Sequence, residues 1–194
     1  MAVRKVIQAG DPRLKSANKQ IINFKSPKTQ KIIKDLISTM RKTDLIGIAS
    51  SQIGENYMIF VTEPRSTNSR KLIKKDKLRV FINPKIIYSS TKKNLIYEGC
   101  GSVANGAIFG PVLRPQEIGI EAMDEKGQKF RLRADGILAR VIQHECDHLS
   151  GVEFIQKVSD YSKIVVQAYY RKNIRHSKLQ QDNSLITKID YKIL

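Results

Sequence analysis

Apolar residues fall at 32, 33, 36, 37 and 40 with Lys and Asp between them, the spacing of one helical face. Ser26-Pro27 stands just before them, and proline suits the first helical position. A helix is therefore predicted from there to about Lys42 or Thr43. A stretch of small residues follows at 47–54. Runs 57–62 and 79–83 read as buried strands, the second stopped by Pro84. Residues 94–98 and 118–123 read as further strands, and 124–128 as a hairpin turn into a strand at 129–133. The pattern at 137–149 predicts a strong helix, with Asp135 as its cap and Gly151 as its terminator. A second helix is predicted over 161–174, and 177–194 shows no clear pattern. Short strands around one buried helix indicate an α+β fold rather than a doubly wound sheet.

The chain has 194 residues, of which 41% are apolar, enough for one buried core. We expect a body over 1–158 and a basic C-terminal helix and tail over 159–194. No apolar run approaches the ~18 residues of a membrane span. The N-terminus Met1-Ala2-Val3-Arg4-Lys5 has no secretory pattern. Two cysteines, Cys100 and Cys146, cannot build a disulfide framework. A reducing compartment, the cytoplasm, is expected. Lys and Arg number 35 against 18 Asp and Glu, a net charge of +17, which attracts polyanions. Residues 65–79 hold seven basic residues and one acid, Asp76, and read as a solvated loop.

The chemistry sits in the second predicted long helix, as His144-Glu145-Cys146-Asp147-His148. Histidines at i and i+4 share a helical face, so both rings reach one metal ion. Glu145 is turned about one hundred degrees from them, beside the metal but not on it. A general base for water activation belongs there. The competing reading is an ordinary helix with surface or core histidines. The helical wheel counts against it. Ile137 and Val141 share the histidine stripe, Leu138, Ile142, Cys146 and Leu149 make a second apolar stripe, and Arg140, Gln143 and Asp147 fill the remainder. A helix apolar on two sides is buried, and buried imidazoles need partners. Cys146 faces away from the histidines and reads as a core residue. A third ligand is open to an Asp or Glu, to His176 in the basic tail, or to Cys100. Cys100 lies between two glycines that let the backbone approach closely. A Cys/His/His set leaves a fourth position for water, the mark of a catalytic site.

Three motifs together resemble the peptide deformylases, metallohydrolases that remove the formyl group from nascent N-formylmethionyl peptides. They are Gly47-Ile48-Ala49-Ser50-Ser51-Gln52-Ile53-Gly54, Glu98-Gly99-Cys100-Gly101-Ser102 and Gln143 through Gly151, in family order. Asp11-Pro12-Arg13-Leu14 is similar as well, and the resemblance spans 10–158. It implies short antiparallel or mixed sheets packed around the central helix. It implies Cys100, His144 and His148 as metal ligands and Glu145 as acid and base. Gln52 and the Gly101 N–H would stabilise the oxyanion. The Gly47 backbone would pair with the substrate, and Ile46 and Val141 would line its methionine pocket. Fe²⁺ is the implied metal, with Zn²⁺ or Ni²⁺ as alternatives. Glu98 is either the partner of a metal-bound histidine N–H or a surface carboxylate at a strand end.

The sequence departs from the family pattern at Leu45, where glycine is usual, at Ser50 for alanine, and at Gly101 for leucine. The loop 103–113 is about two residues longer, and an arginine common there has no clear match. Gly106 or Ala107 falls nearby. The expectation is a whole hydrolytic centre with altered substrate affinity. From Lys157 onward eight Lys and Arg face three acids, Asp160, Asp182 and Asp190. This region would either face ribosomal RNA or form a solvated basic surface. Two rival functions follow from the same residues. One is a catalytically altered paralogue that binds ribosomes or RNA. The other is a metallopeptidase built on the helix motif, which would need neither Cys100 nor Gln52.

Overall fold

The computed structural model describes residues 2–67 and 71–194. Helix α1, Pro27–Lys42, starts where Ser26 Oγ accepts the Thr29 N–H at 3.1 Å, with Pro27 in the first turn. Its face of Ile32, Ile33, Leu36 and Met40 is buried against Ile48, Ile59, Val61 and Ile82. Full burial of each such side chain contributes about 1.5–3 kcal/mol. Strand β1, Gly47–Ala49, runs into a 3-10 turn over Ser50–Ile53 that Gly54 closes at φ 77°. Strand β2 is Ile59–Thr62.

Strand β3, Arg79–Ser89, passes through Pro84 instead of stopping there. Asn83 takes φ 49°, and the pairing register shifts between Ile82 and Lys85. The bulge absorbs the missing proline donor. The Asn83 amide holds the site by pairing with the N–H and C=O of Ile21 at 2.9 and 2.8 Å. Strand β4, Lys93–Gly99, pairs with a strand that the pattern did not suggest, β5, Ile108–Pro115. Gly110, Pro111 and Pro115 hid it. Among the described residues no strand beyond Phe109 covers the outer edge of β5, apart from one bridge from Val112 to Val158, so prolines are tolerated.

Strands β6, Glu117–Met123, and β7, Lys129–Asp135, form the predicted hairpin. They lead into α2, Gly136–Leu149. Asp135 stands at the cap position, but its carboxylate makes no cap bond. It accepts instead from the N–H groups of Thr187 and Lys188 at 2.7 and 2.9 Å and from the Thr187 hydroxyl. Gly151, at φ 71°, follows the helix end.

The helix expected over 161–174 is not continuous. Tyr161–Lys163 is a 3-10 turn, and Val165–Val166 forms β8, paired with Ile108 and Phe109. The β-branched pair favours a strand. Helix α3 begins only at Gln167–Tyr169 and passes into a π-turn over Tyr170–Ile174. Helix α4, Lys178–Ser184, and strand β9, Ile189–Ile193, complete the chain.

The strands make two antiparallel sheets, β1-β2-β3-β6-β7-β9 and β4-β5-β8. Helix α2 lies between them. Leu138, Ile142 and Leu149 pack with Phe60, Phe81, Ile118 and Phe130 of the larger sheet. The opposite side, with Arg140, Gln143, His144 and Asp147, faces β4 and β5. This α+β arrangement packs the helix between the two sheets. Among the described residues no helix is long and apolar enough to cross a membrane.

Candidate metal centre and active site

The i, i+4 spacing on α2 brings the rings of His144 and His148 to 5.0 Å between centroids. Cys100 reaches them from just beyond the end of β4, where its Sγ lies 3.1 Å from Nε2 of His148. One ligand atom from each of Cys100, His144 and His148 falls within 4.8 Å of the others. Cys100 and His148 are buried and His144 is nearly so. Burial pushes the Cys100 thiol up, but His148 and His144 outweigh it and draw it down to about 5. A ready thiolate with two imidazoles is a donor set for a borderline-soft divalent metal, and three donors leave room for water. The residues fit such an ion. His176, the remaining histidine, is exposed in the turn before α4 and takes no part.

Glu98 is buried at the end of β4 beside this set. Its Oε2 lies 3.0 Å from Nδ1 of His144, which leaves Nε2 of that ring for the metal. Arg114 on β5 donates to both Glu98 oxygens at 2.7 and 3.0 Å and to Asp147 at 2.6 Å. Arg140 on α2 donates to Glu98 at 2.8 Å and to the Val112 carbonyl at 3.0 Å. Burial opposes ionisation of Glu98, but Arg114 and His144 hold its carboxyl well below the usual range. Two carboxylates and two guanidiniums thus neutralise one another where unpaired charge would be costly. Sequence reasoning missed Arg114 and Arg140. Their pairing joins residues far apart in the chain. A weak local signal existed, since Arg140 lies on a helix already apolar on two sides.

Glu145 is buried, and its Oε2 has no hydrogen-bond partner among the described residues. Burial raises its carboxyl to about 7, against the pull of the two histidines. Gly47 presses against it. A β-carbon there would meet Val141 Cγ1 at 2.4 Å and Glu145 Oε1 at 2.6 Å. Gln52 accepts the Ala49 N–H at 2.8 Å through its carbonyl oxygen. That bond aims its NH₂ at Ser102 Oγ, 3.2 Å away, and at Cys100 Sγ, 3.5 Å away. Gly101 follows the cysteine, and its N–H donates to no acceptor among the described residues. Ile46 and Val141 are buried in the main core cluster and line the same cavity as Cys100, His144 and Glu145. Cys146 packs against that cluster on the far side, its thiol pushed up to about 12 by burial.

A sequence model described as polypeptide deformylase matches residues 3–164. The peptide deformylase of Pseudothermotoga lettingae is 36% identical over 176 residues, covering 91% of this chain and 95% of that one. Peptide deformylase 1 of Ralstonia nicotianae is 35% identical, covering 82% of this chain and 88% of that one. Among solved structures, the peptide deformylase of Ehrlichia chaffeensis in complex with actinonin superposes with a TM-score of 0.74 at 29% identity, covering 84% of this chain and 92% of that one. The Cys/His/His centre, the fold around it and these matches agree: the chain belongs to the polypeptide deformylase family of metal-dependent amidohydrolases.

Proposed function

We propose that the chain hydrolyses the formyl group from N-formylmethionyl peptides, and that it does so in the cytoplasm. The observation that carries this reading is Glu145. It is a buried carboxyl near pKa 7 with no partner for Oε2, set beside a Cys/His/His cluster and under a strand-edge glycine. Cys100, His144 and His148 would hold an Fe²⁺ ion (or Zn²⁺ or Ni²⁺ in its place), which would supply the acidification of water needed for hydrolysis near neutral pH.

The protein's own groups carry the proton and orient the substrate. Strand β1 is an edge of its sheet, so the substrate backbone adds alongside Gly47 as a further strand. Ile46 and Val141 receive the methionine side chain. Glu145 takes the proton of the attacking water and returns it to the departing amine, for which a pKa near working pH is suited. The Gln52 amide and the Gly101 N–H donate to the oxygen that gains charge, a contribution commonly worth about 10²–10³ in rate for one donor. Glu98 orients His144 through Nδ1. The exposed cations of the C-terminal region, Lys157, Lys172 and Lys178 among them, give a surface for ribosomal RNA.

The test is formate release from formyl-Met-Ala-Ser by anaerobically purified protein, with metal content measured on the same sample and Glu145→Ala alongside. We expect one metal per chain and a rate at least about 10² lower in the variant. Metal without formate, or a variant as fast as the parent, overturns the reading.

A further inference from the structure

The cavity that contains the catalytic groups has a volume of about 940 Å³, at the upper end of the ~300–1,000 Å³ usual for small-ligand sites. Much of its wall comes from the C-terminal segment, including Tyr170, Arg171, Arg175 and Gln180. That wall is fixed in place. The ring of Tyr170 stacks on Phe109 at 4.0 Å between centroids. The Gln180 side chain accepts the Tyr97 N–H at 3.0 Å and donates to the Tyr97 carbonyl at 3.3 Å. It thereby occupies the outer edge of β4 as a strand would. The C-terminal segment therefore bounds one side of the cavity that a peptide would enter.

The mouth of the cavity is cationic. Lys5, Lys42, Lys71, Lys74 and Arg171 line it and are exposed, and among the described residues none of them forms an ion pair. Arg175, stacked on Tyr170, has a buried Nε–H without an acceptor. Among the described residues, the acid in the lining apart from the buried Glu98 and Glu145 is Asp44. These cations line the same cavity as Cys100, His144 and Glu145, so a peptide held there for hydrolysis comes within their reach. A surface for a separate polyanion would not need to open into the catalytic cavity.

We propose that this wall, together with the cationic mouth, selects formylated peptides carrying acidic side chains in the residues that follow the formylated end. The proposal rests on the deformylase reading and adds a substrate preference to it. Carboxylates there satisfy unpaired guanidinium and ammonium donors and gain from the field of a cationic cleft with low-dielectric walls. Basic side chains meet repulsion at the same place.

The test compares kcat/KM for formyl-Met-Ala followed by three Asp, three Ser or three Lys, at about 50 mM and about 500 mM NaCl. We expect acidic above neutral above basic at low salt. The two ends should differ about tenfold or more, mostly in KM, and high salt should narrow the spread. The double charge reversal Lys74→Glu with Arg171→Glu, on exposed side chains, should shrink or invert the acidic-to-basic ratio. Equal kcat/KM for the three peptides, or a ratio untouched by salt, overturns the preference and leaves the deformylase reading intact. Formate from none of the three overturns both.

Discussion

Leu45 fills the space beside Gly101. A β-carbon on Gly101 would lie 3.2 Å from Leu45 Cδ1 and 3.6 Å from Cδ2, with Val6 Cγ1 behind them at 3.7 Å. Leu45, from the segment before β1, occupies the volume that a side chain at 101 would enter. The loop therefore keeps an apolar neighbour even though residue 101 has no side chain of its own.

That shared space predicts strong non-additivity. Gly101→Leu alone overpacks the site and should cost about 1–3 kcal/mol. Leu45→Gly alone leaves a void. The double variant Leu45→Gly with Gly101→Leu should recover most of the loss, with a coupling of about 0.5–3 kcal/mol. Chemical denaturation of the four proteins measures it. Additive losses would show that the two side chains do not share one space.

Gly47→Ala tests the approach of β1 to the catalytic carboxyl. Its methyl would fall 2.4 Å from Val141 Cγ1 and 2.6 Å from Glu145 Oε1, so strand or carboxyl must move. A displacement of about 1 Å commonly costs 10²-fold in rate. We expect kcat/KM to fall by about that factor with metal content retained. Adding Val141→Ala should restore only part, because the Glu145 contact persists.

Glu98→Gln removes the charge that both arginines and His144 share. Metal affinity should drop about 10–100-fold, read by competition with a chelator. Stability should fall by about 3–5 kcal/mol, because Arg114 and Arg140 lose their common counter-charge in a buried site. Unchanged metal affinity would mean that Glu98 only satisfies the arginines.

Legibility in the sequence followed the range of the interactions. Helix α1 could be read because its cap, proline and apolar stripe are all local. The histidine pair on α2 is local too, and Cys100 stood out through its flanking glycines. What escaped was set by distant partners. Strand β5 is held by β4 in spite of its two prolines. Arg114 acquires its role only when β5 brings it to Glu98 and Asp147. Asp135 looked like a cap because its position is right, yet it binds backbone more than fifty residues away. The partners of the polar face of α2 were not legible either, because the smaller sheet that covers it, leaving Arg140 only 3% exposed, comes from distant sequence.

Asp35 should make stability depend on acid. It is buried on α1 and accepts from the Ala2 N–H at 2.9 Å, from Lys31 at 2.6 Å and from Arg4 at 3.4 Å. Burial raises its carboxyl, but Lys31 and the Ala2 N–H outweigh that and hold it below the ordinary value. A carboxyl with a depressed folded pKa stabilises the fold fully above its unfolded value, about 3.9. That contribution disappears as pH falls through the lower folded value. Asp35→Asn should therefore lower stability at pH 7 by about 1.5–3 kcal/mol, the usual worth of hydrogen bonds to a charged group. The gap to the parent should close as the pH is taken well below 3.9, because both proteins then carry a neutral side chain. Thermal melts of the two proteins between neutral and acid pH measure the gap directly. A gap that stays constant across that range would mean that the loss comes from the amide's own donor group and not from the missing charge, so that the charge of Asp35 contributes nothing.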